Sequence, residues 1–177
     1  MAFDLGNLLQ QYLGGASPAP AQAESHFDEV ARNAPTDVLS SGLAAMFRSN
    51  ATPAFGEMAG QLFGRADPNQ QAGMLNSLIA GMGPAVMAAL AAKGGGLGGL
   101  LGQLTGGGTA GAAPSVTPAQ ASQLTPDQVQ VIAHQAEQAN PGIVDRMSEF
   151  YAQHPTLVKT VGGAALSIAM AKMAERT

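Results

Sequence analysis

The 177-residue chain contains no cysteine and no tryptophan, and charged residues make up only 11% of it. Without thiols it can form no disulfide, no thiolate metal site and no cysteine nucleophile. Ordinary soluble domains carry roughly 25% charged residues, so less than half of the usual charge is present. The formal net charge of −4 also lacks the basic excess with which proteins bind nucleic-acid phosphates. We therefore expect no nucleic-acid partner.

The shortage of charge can be expressed as the number of charged residues per unit of surface area. A folded chain of this mass exposes on the order of 8,000 Å², which leaves about one charge per 400 Å² where usual composition gives roughly one per 180 Å². From Pro68 to Pro126 the only formal charge is Lys93. Contiguous apolar patches beyond a few hundred Å² usually mark association surfaces. The alternative is that uncharged polar side chains, above all glutamine, keep this surface soluble.

The N-terminus has neither the basic region nor the apolar core of a secretory signal, so the sequence predicts a cytoplasmic protein. Ala72–Ala92 is uncharged and close to the length of a bilayer span. Asn76, Pro84 and the many alanines make it a poor span. Peripheral docking on a membrane through residues 74–104 is the alternative to a soluble role, although interfacial helices are usually enriched in lysine and arginine.

Four dipeptides predict helix starts: Thr52-Pro53, Asp67-Pro68, Thr117-Pro118 and Thr125-Pro126. Proline in the first helical position loses no hydrogen bond, and the oxygen of the preceding side chain can cap a free amide. In the last three, a glutamine follows at the spacing of a capping box. No segment alternates convincingly as a strand does, so the predicted fold class is all-α.

Composition divides the chain into five predicted parts. These are an N-terminal helix (1–15), a proline-containing linker (16–24), a helical module (25–92), a Gly/Leu-rich segment (93–117) and a C-terminal helical module (118–177). The first module should break at Gly81–Pro84, and the second should end in one apolar helix from Thr156 to Arg176. The sequence leaves open whether the modules pack within one chain or exchange between chains.

Glycine at every fourth position is the most distinctive pattern, in Gly56, Gly60 and Gly64 and again from Gly94 to Gly106. Residues four apart share a helix face, so such a row lets another backbone approach closely. Each glycine lowers the stability of a helix by about 1 kcal/mol relative to alanine. Favourable packing must offset this loss. We predict a self-association surface that comprises Gly56, Gly60, Gly64, Phe63, Leu97, Leu101, Leu104, Leu166 and Met173. For the Gly/Leu-rich segment, a flexible linker is the alternative.

Catalytic and metal-binding patterns are scarce. His134 and Glu137 share one predicted helix, and Asp145 and Glu149 share the next, which loosely resembles a metal site in a helical bundle. The paired Glu-x-x-His motifs of such sites are missing, so a solvated polar face is the ordinary interpretation. The chain has no Gly-x-Ser-x-Gly turn and no phosphate-binding loop. The sequence therefore predicts no enzyme, no cofactor and no metal.

The stretch Gly94-Gly-Gly-Leu-Gly-Gly-Leu-Leu-Gly102, beside short leucine-rich helices, resembles small Gly/Leu-rich bacterial helical proteins of the YidB-like kind. The resemblance carries no catalytic residues, and it implies an alanine-rich bacterial helical protein. The resulting hypothesis is a non-enzymatic structural protein that forms a homo-oligomer, either closed by symmetry or extended by a propagating interface.

Overall fold

The computed structural model of the chain describes residues 5–14, 19–92, 99, 102 and 115–175. Every regular element in these residues is helical and none is a strand, which confirms the predicted all-α fold. The helices are α1 (Leu5–Leu13), α2 (Pro20–Asn33), α3 (Thr36–Phe47), α4 (Phe55–Arg65), α5 (Pro68–Ala92), α6 (Pro118–Ala121), α7 (Pro126–Ala139), α8 (Ile143–Gln153), α9 (Pro155–Val158), a 3-10 turn (Lys159–Val161) and α10 (Gly163–Ala174).

The chain forms two compact units that do not follow chain order. Unit 1 contains Met1–Ala54 and Ser148–Thr177, whereas unit 2 contains Phe55–Met147. This corrects the predicted division into modules 25–92 and 118–177. The physical reason is that α10 packs against α1, α2 and α3, while α7 packs against α4 and α5. Each half of the sequence therefore contributes helices to both units.

Unit 1 is built around α10. Its buried side chains come from both ends of the chain, and they include Leu9, Phe27, Val30, Leu43, Met46, Leu166, Met170 and Met173. These residues recur three or four apart on their helices, so each helix presents one apolar stripe to the common core. Outside the core, the Lys159 ammonium lies 2.7 Å from a carboxylate oxygen of Asp28 and joins the 3-10 turn to α2.

Two tyrosines in unit 1 differ in how their hydroxyl groups are satisfied. The Tyr12 hydroxyl forms a 2.8 Å hydrogen bond with Nδ1 of His26. Tyr151 is completely buried beside the Phe47 ring, and among the residues that the structure describes its hydroxyl has no hydrogen-bond partner. Burial raises the pKa of Tyr151 far above its usual value, and burial also raises the pKa of Tyr12.

Unit 2 is built on the crossing of α4 and α7, to which α5 and α6 are added. Its core contains Phe55, Met58, Leu62, Phe63, Met74, Leu75, Leu78, Val129, Ile132 and Ile143. The Asn76 side-chain amide clamps Val116, because it donates to the carbonyl oxygen at 3.2 Å and accepts from the amide at 2.6 Å. Residues 115–117, predicted as part of the Gly/Leu-rich segment, are thus tied to α5.

Three of the four predicted helix caps are confirmed. Thr117 and Thr125 form complete capping boxes with the glutamines three residues later. Asp67 accepts hydrogen bonds from the amides of Asn69 and Gln70. The helix start predicted at Thr52-Pro53 is wrong, because α4 begins only at Phe55. The Thr52 hydroxyl donates to carbonyl oxygens of the preceding turn.

Two other predicted boundaries need correction. Helix α2 begins at Pro20, so residues 20–24 of the predicted linker are helical. Alanine and glutamine in this stretch favour a helix, and the burial of Ala23 fixes it to the core. The predicted helix from Thr156 to Arg176 is interrupted at Gly162, whose φ of 99° is non-helical. The predicted break before Pro84 is confirmed, because Gly83 has φ 74° and ψ 166° inside α5.

Replacing Tyr151 by phenylalanine should raise the free energy of unfolding at pH 7 by about 1 kcal/mol, because it removes a buried hydroxyl that has no partner. Above pH 10 the unfolded chain ionises its tyrosines while buried Tyr151 stays neutral. The free energy of unfolding of the wild type should then fall with rising pH, by at most about 1.4 kcal/mol per pH unit for this group. The free energy of unfolding of Tyr151→Phe should fall less steeply. Urea unfolding between pH 7 and 11 measures both effects.

The matched control is Tyr12→Phe, the other tyrosine of the chain. That variant loses the hydrogen bond with His26, so it should be less stable than wild type at pH 7 by about 1 kcal/mol. A clear loss of stability in Tyr151→Phe at pH 7, similar to that of the control, would contradict the interpretation.

Candidate functional site

The predicted glycine stripe lies inside unit 2. The face of α4 that carries Gly56 and Gly60 packs on α7 of the same chain, and both glycines are buried. A Cβ atom on Gly60 would lie 2.7 Å from the carbonyl oxygen of Pro126, and one on Gly56 would lie 2.9 Å from that of Gln130. Because real Cβ atoms do not approach backbone oxygens so closely, only glycine permits this crossing.

Gly64 ends the stripe in a more open position. A Cβ atom there would lie 3.0 Å from Cγ of the Pro126 ring and would not meet backbone. The residue is exposed, so the contact loosens toward the end of α4. The spacing thus correctly predicts a close helix crossing, but the partner is α7 and not another molecule.

The other residues of the predicted self-association surface are either buried or undescribed. Phe63 is 1% exposed in the core of unit 2, and Leu166 and Met173 are fully buried in unit 1. These three side chains are therefore unavailable to a second molecule while the units are folded. Leu97, Leu101 and Leu104 lie outside the described residues, as does most of the stretch that resembles YidB-like proteins.

The predicted polar group around His134 is dispersed. His134 is exposed, and its Nε2 lies 2.9 Å from the side-chain amide nitrogen of Gln138 on the same helix. Asp145 and Glu149 are exposed, and Glu137 is half-buried. Within the described part of the chain, no three histidine or acidic side chains are grouped so that they could hold a metal ion.

One uncharged surface remains on the distal half of α5, Pro84–Ala92. The proximal half of this helix is used in the core, where Met74, Leu75, Leu78, Ile79 and Met82 are buried. Beyond Gly83 the exposure changes: Pro84, Ala85, Ala88, Ala89 and Ala92 are exposed, and Val86 and Met87 are half-buried. No charged residue occurs between Pro68 and Ala92.

The break in α5 explains this change. Gly83 leaves the helical conformation, and Pro84 has no amide to donate, so the helical hydrogen bonds are interrupted there. Just before the break, the carbonyl oxygen of Gly81 accepts a 3.0 Å hydrogen bond from the side-chain amide of Asn140. The core side chains of α5 therefore end at Met82, and among the distal residues whose burial the structure describes, 84–89 and 92, none is buried.

Two further apolar side chains are exposed in the described residues and were not predicted. Leu13 at the end of α1 is 51% exposed, and Val131 on α7 is 47% exposed. Single exposed apolar residues are normal on protein surfaces. They lie in different units, and neither defines a site.

Comparisons of the chain with protein-family models, with curated proteins and with solved structures gave no match. The resemblance to YidB-like proteins thus stays a prediction, and the functional interpretation is based on the residues themselves.

Replacing Gly60 by alanine should destabilise unit 2 by about 1–3 kcal/mol, because the added methyl group meets the Pro126 carbonyl. Gly56→Ala should have a similar effect, since it too meets backbone. Gly64→Ala is the matched control on the same helix face: its neighbour is a proline ring edge, and the gain in helix propensity offsets the crowding. Urea unfolding measures the change in the free energy of unfolding for each of the three variants. Equal losses of stability at all three positions would contradict this interpretation of the contacts.

Proposed function

We propose that this chain is a non-enzymatic helical protein that associates with further copies of itself. The observation that carries the proposal is the uncharged distal half of α5, in which Pro84, Ala85, Ala88, Ala89 and Ala92 are exposed. An apolar helix surface without charges gains free energy when it is buried. It also incurs no penalty for stripping water from ions when it meets another protein surface.

The small size of the exposed side chains favours a second helix as the partner. Ala85, Ala88, Ala89 and Ala92 project little from the helix, so another backbone can approach closely and gain packing contacts. The same physical principle operates at the α4–α7 crossing within unit 2. A homo-oligomer is the simplest arrangement, because a symmetric dimer needs only one such surface in contact with itself.

Peripheral docking on a membrane through residues 74–104 is the second candidate. Its support is that, within the described residues, Pro68–Ala89 is long and apolar enough to cross a membrane. Against it stand the break at Gly83 and the core position of Met74–Met82. The exposed half also lacks the aromatic and basic residues that anchor interfacial helices. We therefore propose a second copy as the occupant.

Replacing Ala88 by lysine should weaken self-association at least about tenfold, because burying an unpaired ammonium at the interface costs well over 1.4 kcal/mol. The matched control is Ala139→Lys, an exposed alanine at the end of α7, where a cation suits the helix dipole. Sedimentation velocity over a range of protein concentrations measures the association constant of each variant.

Salt and lipid complete the test. Association through apolar surface should persist in 1 M salt, where the Debye length is only about 3 Å. A wild-type protein that stays monomeric at every concentration would refute the proposal. Flotation of that monomer with neutral or anionic vesicles would instead establish the membrane-docking candidate.

A further inference from the structure

Methionine carries all the sulfur of this chain, which has nine methionines and no cysteine. Seven methionines are buried in the described structure, none of them more than 5% exposed, and they are Met46, Met58, Met74, Met82, Met147, Met170 and Met173. Met87 differs from them, because it is only half-buried. Among the methionines that the structure describes, it is therefore the one whose side chain meets solvent.

A thioether sulfur that meets solvent can be oxidised by a hydroperoxide. The sulfur lone pair attacks one peroxide oxygen, a sulfur–oxygen bond forms and the oxygen–oxygen bond breaks. The sulfur loses two electrons and becomes a sulfoxide, while the departing oxygen gains them, takes the proton of the transferred oxygen and leaves as water or an alcohol. No thiol is present to consume the oxidant first, and buried sulfurs react only when the structure around them opens.

Met87 lies on the side of α5 that faces away from the exposed alanines. Ala85, Ala88, Ala89 and Ala92 are spaced three and four residues apart and share one helix face. Met87 follows Ala85 by two residues, which places it about 200° around the helix at 3.6 residues per turn. Its partial burial agrees with this position. Oxidant can therefore still reach Met87 when the alanine face meets a second copy.

The break in α5 separates Met87 from the core of unit 2. Gly83 leaves the helical conformation, and the core side chains of the helix end at Met82. Beyond the break, in the described residues 84–89 and 92, only Val86 and Met87 are withdrawn from solvent. These two side chains hold the distal half of α5 in place, so a change at Met87 can loosen that half while the proximal half stays packed.

We propose that Met87 is an oxidation site at which a hydroperoxide forms methionine sulfoxide, and that this modification weakens self-association through the distal half of α5. The sulfoxide is polar, and a polar group favours conformations in which water solvates it. The distal half would then lose one of its two apolar attachments, and the alanine face would no longer be held for a second copy. The inference rests on the proposed self-association and assigns a means of regulating it.

Peptide mass spectrometry after mild treatment of the full chain with hydrogen peroxide tests the site. The Met87 sulfoxide should form at least about tenfold faster than the sulfoxides of the seven buried methionines, because those sulfurs react only in opened conformations. Hydrogen exchange tests the structural effect. After oxidation, the amides of the distal half of α5 should exchange faster, and those of the proximal half should be unchanged.

Variants at Met87 connect the sulfoxide to self-association, which sedimentation velocity measures. Met87→Gln places a polar side chain there without any oxidant, and it should weaken association about fivefold or more. Oxidised wild type should show the same loss, and enzymatic reduction of the sulfoxide should reverse it. Met87→Leu keeps an apolar side chain of similar volume and should associate equally well before and after peroxide treatment. The matched control, Met82→Leu, is altered at a buried position of the same helix and should stay sensitive to peroxide.

The inference is overturned if Met87 is oxidised no faster than the buried methionines, or if peroxide weakens the association of Met87→Leu as much as that of the wild type. It is also overturned if oxidation leaves both association and the exchange of the distal amides unchanged. Failure of the proposed function has a different signature. A wild-type chain that never associates would refute the proposed function, whereas the oxidation rate of Met87 and the exchange of the distal amides would still be measured in that monomer and would decide whether Met87 is a site that controls the distal half.

Discussion

The close approach of helix backbones at glycine is the constraint on which both units depend. Gly60 faces a carbonyl oxygen of α7 in unit 2, and Gly163 faces the backbone of Pro20 in unit 1. At each place a single methyl group would force two helices apart and open the packed core behind them. The chain is poor in aromatic side chains, so short distances between small residues replace the contacts that large rings usually supply.

Because glycine contacts bury helix faces within each unit, the low content of charged residues does not by itself indicate a large exposed apolar surface. The chain has few charged residues and many apolar helix faces. Much of this apolar surface is buried by helix packing within the two units. What is left for other molecules in the described residues is the distal half of α5, where Gly83 and Pro84 turn the helix out of the core. The proposed self-association therefore concerns a short uncharged helix surface, and the glycine-striped face of α4 supports it only by holding unit 2 together.

Local features of the fold could be predicted from the sequence, whereas the pairing of distant segments could not. The capping boxes at Thr117 and Thr125 and the break at Gly83 follow from residue types and spacing. The division into units does not, because it depends on which apolar stripe α10 meets, and several helices present similar stripes. The break at Gly162 was not predicted, because the apolar periodicity runs through it. In the structure Gly162 has φ 99°, and Gly163 lies against the backbone of Pro20.

The same limit applies to the candidate surface. Spacing identified Gly56 and Gly60 as points of close approach but gave no information about whether the partner is α7 or another copy. The uncharged stretch from Pro68 to Ala92 was evident in the sequence, yet only the structure separates its buried half from its exposed half. A rule based on the Gly83-Pro84 pair, with core residues before it and small residues after it, would have located that boundary.

Native-state hydrogen exchange tests the central claim most directly, because it reports which helices open together. If glycine contacts couple distant segments, the amides of α4 and α7 should share one opening free energy, and those of α10 should share another with α2 and α3. The account would be contradicted if helices that are neighbours in the sequence opened together. In that case α7 and α10 would exchange together, while α4 would stay protected with α2 and α3.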